Sequence, residues 1–255
     1  MITLTLVIGA GASSEVKLPV GSELKLQIAD ALDVRYESGG DLSAGDYTIA
    51  EAIRYLGSAA TGDCGDARAL QRSCWKVRDG MPLCTSIDSF IDSHRADKSF
   101  AVVGKLGIAR AILSAEERSS LYFNEMKGDT SIPFRAVSAT WFAQFFQLLV
   151  DGGDFRQTKE RMSRVAIVSF NYDRCLEHFL FHGLQKYFPQ ISAADAAEAI
   201  RLIKIYHPYG TVGALPWMAH PESTPFGHKP SPRDLVGIAA QIRTYSEGTD
   251  PSLTG

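Results

Sequence analysis

The first fourteen residues constrain the fold more than any other segment. Ile2 to Ile8 is an apolar run with β-branched residues at Ile2, Thr3, Thr5, Val7 and Ile8, and it breaks at once into Gly9-Ala10-Gly11-Ala12-Ser13-Ser14. A run of this length bounded by turn residues fits a strand buried on both faces, as in a parallel sheet. After Pro19 and Gly21, Ser22 can cap a helix whose apolar face is Leu24, Ile28, Ala31 and Leu32. Strand, glycine turn, helix is the opening of a nucleotide-binding α/β fold. A secretory leader would need a cationic start, and the first Lys or Arg is Lys17, so Ala10-Gly11-Ala12 is not read as a cleavage site.

Residues 37–46 are turn-rich and read as a loop. From Asp46 to about Ser114 the pattern is helical: Ile49, Ile53 and Leu56 share one face, a short helix covers Ile87 to Ile91, and a longer one passes through Phe100, Val103, Gly107 and Ala111. A further helix over Ala136–Val150 is expected to bury Trp141, Phe142, Phe145, Leu148 and Leu149. Strand character returns at Val165 to Phe170, which ends in Asn171-Tyr172-Asp173 and leads into a helix reaching about Tyr187. Ser192 and Asp195 form a capping-box variant for the next helix. Leu202 to His207 reads as a third strand, ending at Pro208-Tyr209-Gly210, and the last helical run covers about Asp234–Tyr245. These elements predict a single α/β domain over 1–255, a Rossmann-like three-layer parallel sheet with a mainly helical insertion at about 37–160. Three strong strands fall short of the about five or six usual in such sheets, so the chain reads as the N-terminal part of a longer protein, truncated at its C-terminus.

Composition narrows the function classes. The 255 residues are 45% hydrophobic and 22% charged, as in ordinary globular proteins, which excludes disorder and coiled coil. With 26 Lys+Arg against 29 Asp+Glu, the formal charge of −3 advertises neither nucleic acid nor an anionic membrane as partner. The most apolar stretch, Ala136–Val150, is interrupted by Ser138, Thr140, Gln144 and Gln147 and is too short to span a bilayer. Cys64, Cys74, Cys84 and Cys175 form no C-x-x-C pair, so neither a structural zinc module nor a disulfide scaffold is indicated, and reduced thiols in a cytoplasmic protein are expected.

Open α/β sheets bind ligands at the carboxyl ends of their strands. Three strands here end in polar or sterically special segments, Gly9–Ser13, Asn171–Asp173 and His207–Gly210, and a parallel sheet would bring the three ends to one crevice. Gly9 and Gly11 let the backbone turn sharply and approach a phosphate. The third glycine of a dinucleotide fingerprint is replaced by Ser14, and no Gly-Lys-Ser/Thr follows, so this is not a P-loop. Each segment also has a plain structural reading: a tight strand-to-helix turn, an Asx turn with Asp173 capping the next helix, and a histidine packed before proline. His178 and His182 have the spacing of a zinc pair but lack the metalloprotease glutamate and an evident third ligand. Trp141, Phe142, Phe145 and Phe146 read as core or subunit interface.

Taken together, Val7-Ile8-Gly9-Ala10-Gly11-Ala12-Ser13, Ser169-Phe170-Asn171-Tyr172-Asp173 and Tyr206-His207-Pro208-Tyr209-Gly210 resemble the SIR2-like (sirtuin-related) family, closest to its zinc-free bacterial branch found in anti-phage defence proteins. The resemblance covers roughly residues 2–32, 86–92 and 165–213, with Leu18-Pro19-Val20-Gly21 and Ser86 to Ile91 as lesser touches. It implies NAD as a substrate rather than a redox cofactor, with no metal, and an NAD hydrolase that releases nicotinamide and ADP-ribose. The turn of Gly9, Ala10, Gly11, Ala12 and Ser13 would hold the pyrophosphate, and Asn171 would orient a water and the ribose hydroxyls. Asp173 would sit near the carboxamide, and a histidine in the third motif would act as general base, the histidine pKa near ~6.5 suiting neutral pH.

Two departures bear on that reading. The deacylating members carry a four-cysteine zinc module that this chain lacks, which argues against an NAD-dependent protein deacylase. The family's histidine usually stands directly before the glycine, a place held here by Tyr209, with His207 two residues upstream. His207 is therefore taken as the base, with Tyr209 assisting at the ribose. The expected setting is a cytoplasmic, NAD-depleting effector of anti-phage defence that forms a homo-oligomer and is triggered by a further C-terminal domain or a partner protein. The alternative is a non-catalytic module that binds NAD or ADP-ribose and regulates a partner.

Overall fold

The computed structural model describes residues 2–58, 66–124, 128–129, 131–244 and 247. It is a mixed α/β protein whose chain divides into two compact units. The first comprises 1–18 with 115–228, and the second comprises 19–114 with 229–255. Of the residues expected to form a mainly helical insertion at about 37–160, 37–114 fall in the second unit and 115–160 in the unit that carries the parallel sheet.

The first unit is built on β1 (Leu4–Ile8), β4 (Val165–Ser169) and β5 (Lys204–Tyr206), all parallel, with β4 in the centre. The register aligns Leu6 with Ile167 and Ile205 on one face, and Val7 with Val168 and Tyr206 on the other. Leu6, Ile8, Val165, Ile167 and Ile205 enter a single core with Phe142 and Phe145 of α7 (Trp141–Val150), Phe179 and Leu180 of α9 (Cys175–Tyr187), and Ile200 of α10 (Ala193–Arg201). Helix α8 (Phe155–Met162) adds Met162 and opens with a capping box, Asp154 accepting from the Gln157 amide.

The opposite face differs from the expectation. Val7 is 67% and Tyr206 46% exposed, while Leu6, Ile167 and Ile205 turn into the core, and β1 lies at an edge of the sheet. The apolar run at 2–8 hid a period of two, with Thr3, Thr5 and Val7 turned outward. Leu148, expected in the core, is 72% exposed because it falls on the outer side of α7. Residues before Trp141 form a 3₁₀ turn, Phe134–Val137, rather than more helix, and β5 is shorter than expected because Leu202 and Ile203 close the end of α10.

In the second unit, α2 (Gly21–Ala31) begins one residue before Ser22, with Val20 at the cap and its N–H donating to Glu23. The segment read as a loop contains part of a hairpin, β2 (Arg35–Tyr36) with β3 (Leu42–Ala44), antiparallel. Helices α3 (Tyr47–Ser58) and α4 (Ala67–Gly80) follow, then α5 (Ile87–Ser93), capped by Ser86, and α6 (Lys98–Arg118), which continues into the first unit at residue 115. Asp46 accepts from the Ile49 amide and from Arg110, tying the start of α3 to α6. Helix α11 (Pro232–Ala239) ends before the limit expected from the sequence, and Tyr245 lies outside the described residues. Among the described residues no helix is long and apolar enough to cross a membrane.

Candidate functional site

Because β1, β4 and β5 are parallel, their carboxyl ends lie along one edge of the sheet, and the three polar segments begin there. β1 ends at Ile8, Gly9 adopts an extended conformation, and Ala10–Ser14 turn directly into the short helix α1. Trp141, at the start of α7, braces this turn: its indole N–H donates to Ala12 O at 2.5 Å and its backbone N–H to Glu15 at 2.7 Å. Neither Gly9 nor Gly11 has a positive φ, and a Cβ added at either would meet nothing within 4 Å. The protein's own packing therefore leaves the space beside both glycines open.

Ser13 joins the first segment to the second. Its hydroxyl donates to Asp173 Oδ1 at 3.0 Å and accepts from the Asn171 amide at 3.1 Å. All three side chains are buried. Since the Ser13 proton is committed to Asp173, Asn171 must present its NH₂ to Ser13, which fixes the orientation of its amide. Asn171 Oδ1 is then left enclosed without a hydrogen-bond partner among the described residues. Buried acceptors are seldom left this way unless a water or ligand completes them.

Asp173 Oδ1 also accepts from the Cys175 amide at 3.1 Å. Burial pushes the Asp173 carboxyl above the usual carboxylate range, a shift only partly offset by the hydrogen bonds from Cys175 and Ser13. Burial likewise holds the Cys175 thiol well above its ordinary value, so it is not a nucleophile.

The third segment joins the second through His207. Its Nδ1 lies 3.1 Å from Asn171 O and its Nε2 2.7 Å from Glu177 Oε1. Both neighbours are acceptors, so the ring satisfies them by carrying a proton on each nitrogen. Burial alone would depress the imidazole, but the Glu177 carboxylate and the Asn171 carbonyl overcome it and raise the pKa. This geometry does not suit the general base expected from the sequence: neither nitrogen is left to take a proton from a substrate. Tyr209 packs its ring against Phe170, 5.8 Å between centroids.

Glu177, in the first turn of α9, is a residue that sequence reasoning missed, because an acidic residue there reads as an ordinary helix-start carboxylate. A second group had little signal. Arg174, 1% exposed, pairs through Nε and Nη2 with Glu116, 0% exposed, and donates to the carbonyls of Gly213, Thr224 and Pro225. Glu116 in turn accepts from the Gly227 amide at 3.0 Å. Arg174 thus fixes the start of α9, one residue from Asp173, to the loop that follows β5.

His178 is buried, lies 3.3 Å from Leu121 O and stacks on Phe226, and among the described residues no cluster of three or more His, Cys, Asp or Glu is placed to hold a metal. Phe142, Phe145 and Phe146 are core. Cys74, Cys84 and Cys175 are free thiols, and Cys64 lies outside the described residues.

The site therefore defines a class only: an α/β protein with a buried Ser-Asn-Asp hydrogen-bond chain at the carboxyl edge of a parallel sheet. Comparison with family models, with curated proteins and with solved structures found no match for this chain.

Proposed function

We propose that the first unit is a Rossmann-like, SIR2-like domain that cleaves NAD to nicotinamide and ADP-ribose. The observation that carries the reading is the Ser13–Asn171–Asp173 chain at the convergent strand ends, with Asn171 Oδ1 buried and without a partner among the described residues. NAD fits the residues present on two counts. The open space at Gly9 and Gly11 admits close approach of a pyrophosphate to the backbone, and Asn171 Oδ1 is an acceptor for a ribose hydroxyl or a water.

In this reading the bond between C1′ of the ribose and the pyridinium nitrogen breaks. Its electron pair goes to the nitrogen, which leaves as neutral nicotinamide, while positive charge develops on the ribose as in other glycosyl transfers. Water adds to C1′ and releases its proton to solvent, since both nitrogens of His207 are engaged. Asn171 orients the ribose and the water, and positioning is the larger part of what such a dissociative reaction needs. Asp173, held toward its protonated form by burial, can donate to the carboxamide. His207 is a positioning residue: with Glu177 it fixes the backbone of Asn171.

The sequence resemblance extends the proposal to a cytoplasmic, NAD-depleting effector of bacterial anti-phage defence, homo-oligomeric and triggered by a further domain or partner. The engaged His207 favours a second reading, a non-catalytic NAD or ADP-ribose sensor, because no imidazole nitrogen is free for proton transfer. Incubating the purified chain with NAD and separating the products tests both. Nicotinamide and ADP-ribose formed by the chain but not by Asn171→Ala support the hydrolase. NAD bound intact supports the sensor, and absence of binding overturns both.

A further inference from the structure

A cavity lies in the first unit, on the face of α9 formed by His178, Phe181 and His182. Its volume is about 500 Å³, within the range of small-molecule sites. Its walls are flat rings in ordered pairs. His178 stacks on Phe226 at 4.0 Å and 4°, Phe181 stacks on Trp217 at 4.9 Å and 7°, and Phe123 meets His182 edge-on at 5.0 Å and 85°. None of the described lining residues is Asp, Glu, Lys or Arg.

The walls are built in advance. The 213–227 loop, which supplies Trp217 and Phe226, is clamped by Arg174 at the carbonyls of Gly213, Thr224 and Pro225, and by Glu116 at the Gly227 amide. Gly227 has φ of 66°, and a Cβ there would come within 2.9 Å of the Glu117 backbone, so the loop must turn at this residue. Preorganisation of this kind lowers the ordering cost of binding.

The polar groups in the cavity are few and neutral. Burial lowers His182 to about 4 and His178 well below its usual value, so at pH 7 each imidazole is uncharged, with one donor and one acceptor nitrogen. His182 is only half-buried and has no hydrogen-bond partner among the described residues, whereas His178 contacts Leu121 O. Flat π walls and one open neutral imidazole suit a ligand that stacks and offers a hydrogen-bonding edge, while a cation would find no carboxylate.

We infer that this cavity binds a neutral, planar heteroaromatic molecule of nucleoside size, stacked between the ring pairs and hydrogen-bonded at its edge to His182. The inference is independent of NAD cleavage, since it uses neither Asn171 nor the glycine turn. The test is calorimetric titration of the full chain with inosine, whose hypoxanthine base no part of NAD contains, and in parallel with tetramethylammonium. One-to-one inosine binding, weakened at least tenfold in His182→Phe and retained in Asn171→Ala, is expected. Phe123→Leu serves as a second variant should His182→Phe melt below the parent. No binding at millimolar inosine by the folded chain overturns the inference. So does inosine binding that Asn171→Ala abolishes and His182→Phe keeps, or tetramethylammonium binding more tightly than inosine.

Discussion

Arg174→Met removes the cation from the most deeply enclosed ion pair of the first unit, and the consequence follows from what is left behind. Among the described residues Glu116 would keep two donors, the backbone amides of Arg174 and Gly227, and would lose its counter-charge. The carbonyls of Gly213, Thr224 and Pro225 would lose the guanidinium as well. Removing one partner of a buried pair costs about 3–5 kcal/mol, a large share of a total stability of about 5–15 kcal/mol. For a chain of this size each kcal/mol moves Tm by about 2–4 °C, so a fall of about 6–20 °C is expected by calorimetry or circular dichroism. Glu116→Leu combined with Arg174→Met removes both charges and should recover part of the loss, because the orphaned carboxylate goes while the three carbonyls and the Gly227 amide stay without their partners. A single variant within about 1 kcal/mol of the parent, or a double variant no better than the single, would refute the reasoning.

Three further outcomes follow from the site. Gly11→Ala places a methyl group in open space within α1 and should raise stability by about 0.5–1 kcal/mol in denaturant titration while lowering NAD turnover; equal turnover would remove the cradle from the account. Because burial raises the Asp173 carboxyl, the folded chain holds a proton there that the unfolded chain releases, so stability falls as pH rises from about 3.9 through the folded value. Asp173→Asn should flatten that slope and be more stable than the parent at pH 7, and its NH₂ keeps a donor for the carboxamide; an unchanged slope contradicts it. His207 has a raised pKa through Glu177, so its contribution is complete below about 6.5 and lost as pH rises through the folded value. Glu177→Gln should bring the His207 titration, followed by NMR, back down; an unmoved titration would separate the two residues.

The sequence makes the three strand ends legible because strand, special turn and helix recur in order, and residues of that kind at β ends are a strong physical signal. Their contacts were not legible. Nothing in the spacing says that the Ser13 hydroxyl bridges Asn171 and Asp173 across 160 residues, or that both nitrogens of His207 are engaged. The outward Val7 was hidden because a β-branched residue marks a strand whichever way it points. The hairpin at 35–44 was hidden because glycine and aspartate dominate a segment with two very short strands. Glu116 was the least legible, an ordinary helical glutamate whose meaning comes from Arg174, 58 residues away.

The proposed action of Asn171 on the ribose of NAD depends on its being held by Ser13 and His207. It is tested most directly by mixing the chain with an equimolar amount of NAD and following nicotinamide release, beside an Asn171→Ala variant of matched Tm. Nicotinamide should approach one equivalent with the parent and stay at the buffer rate with the variant. Equal release from both would contradict it.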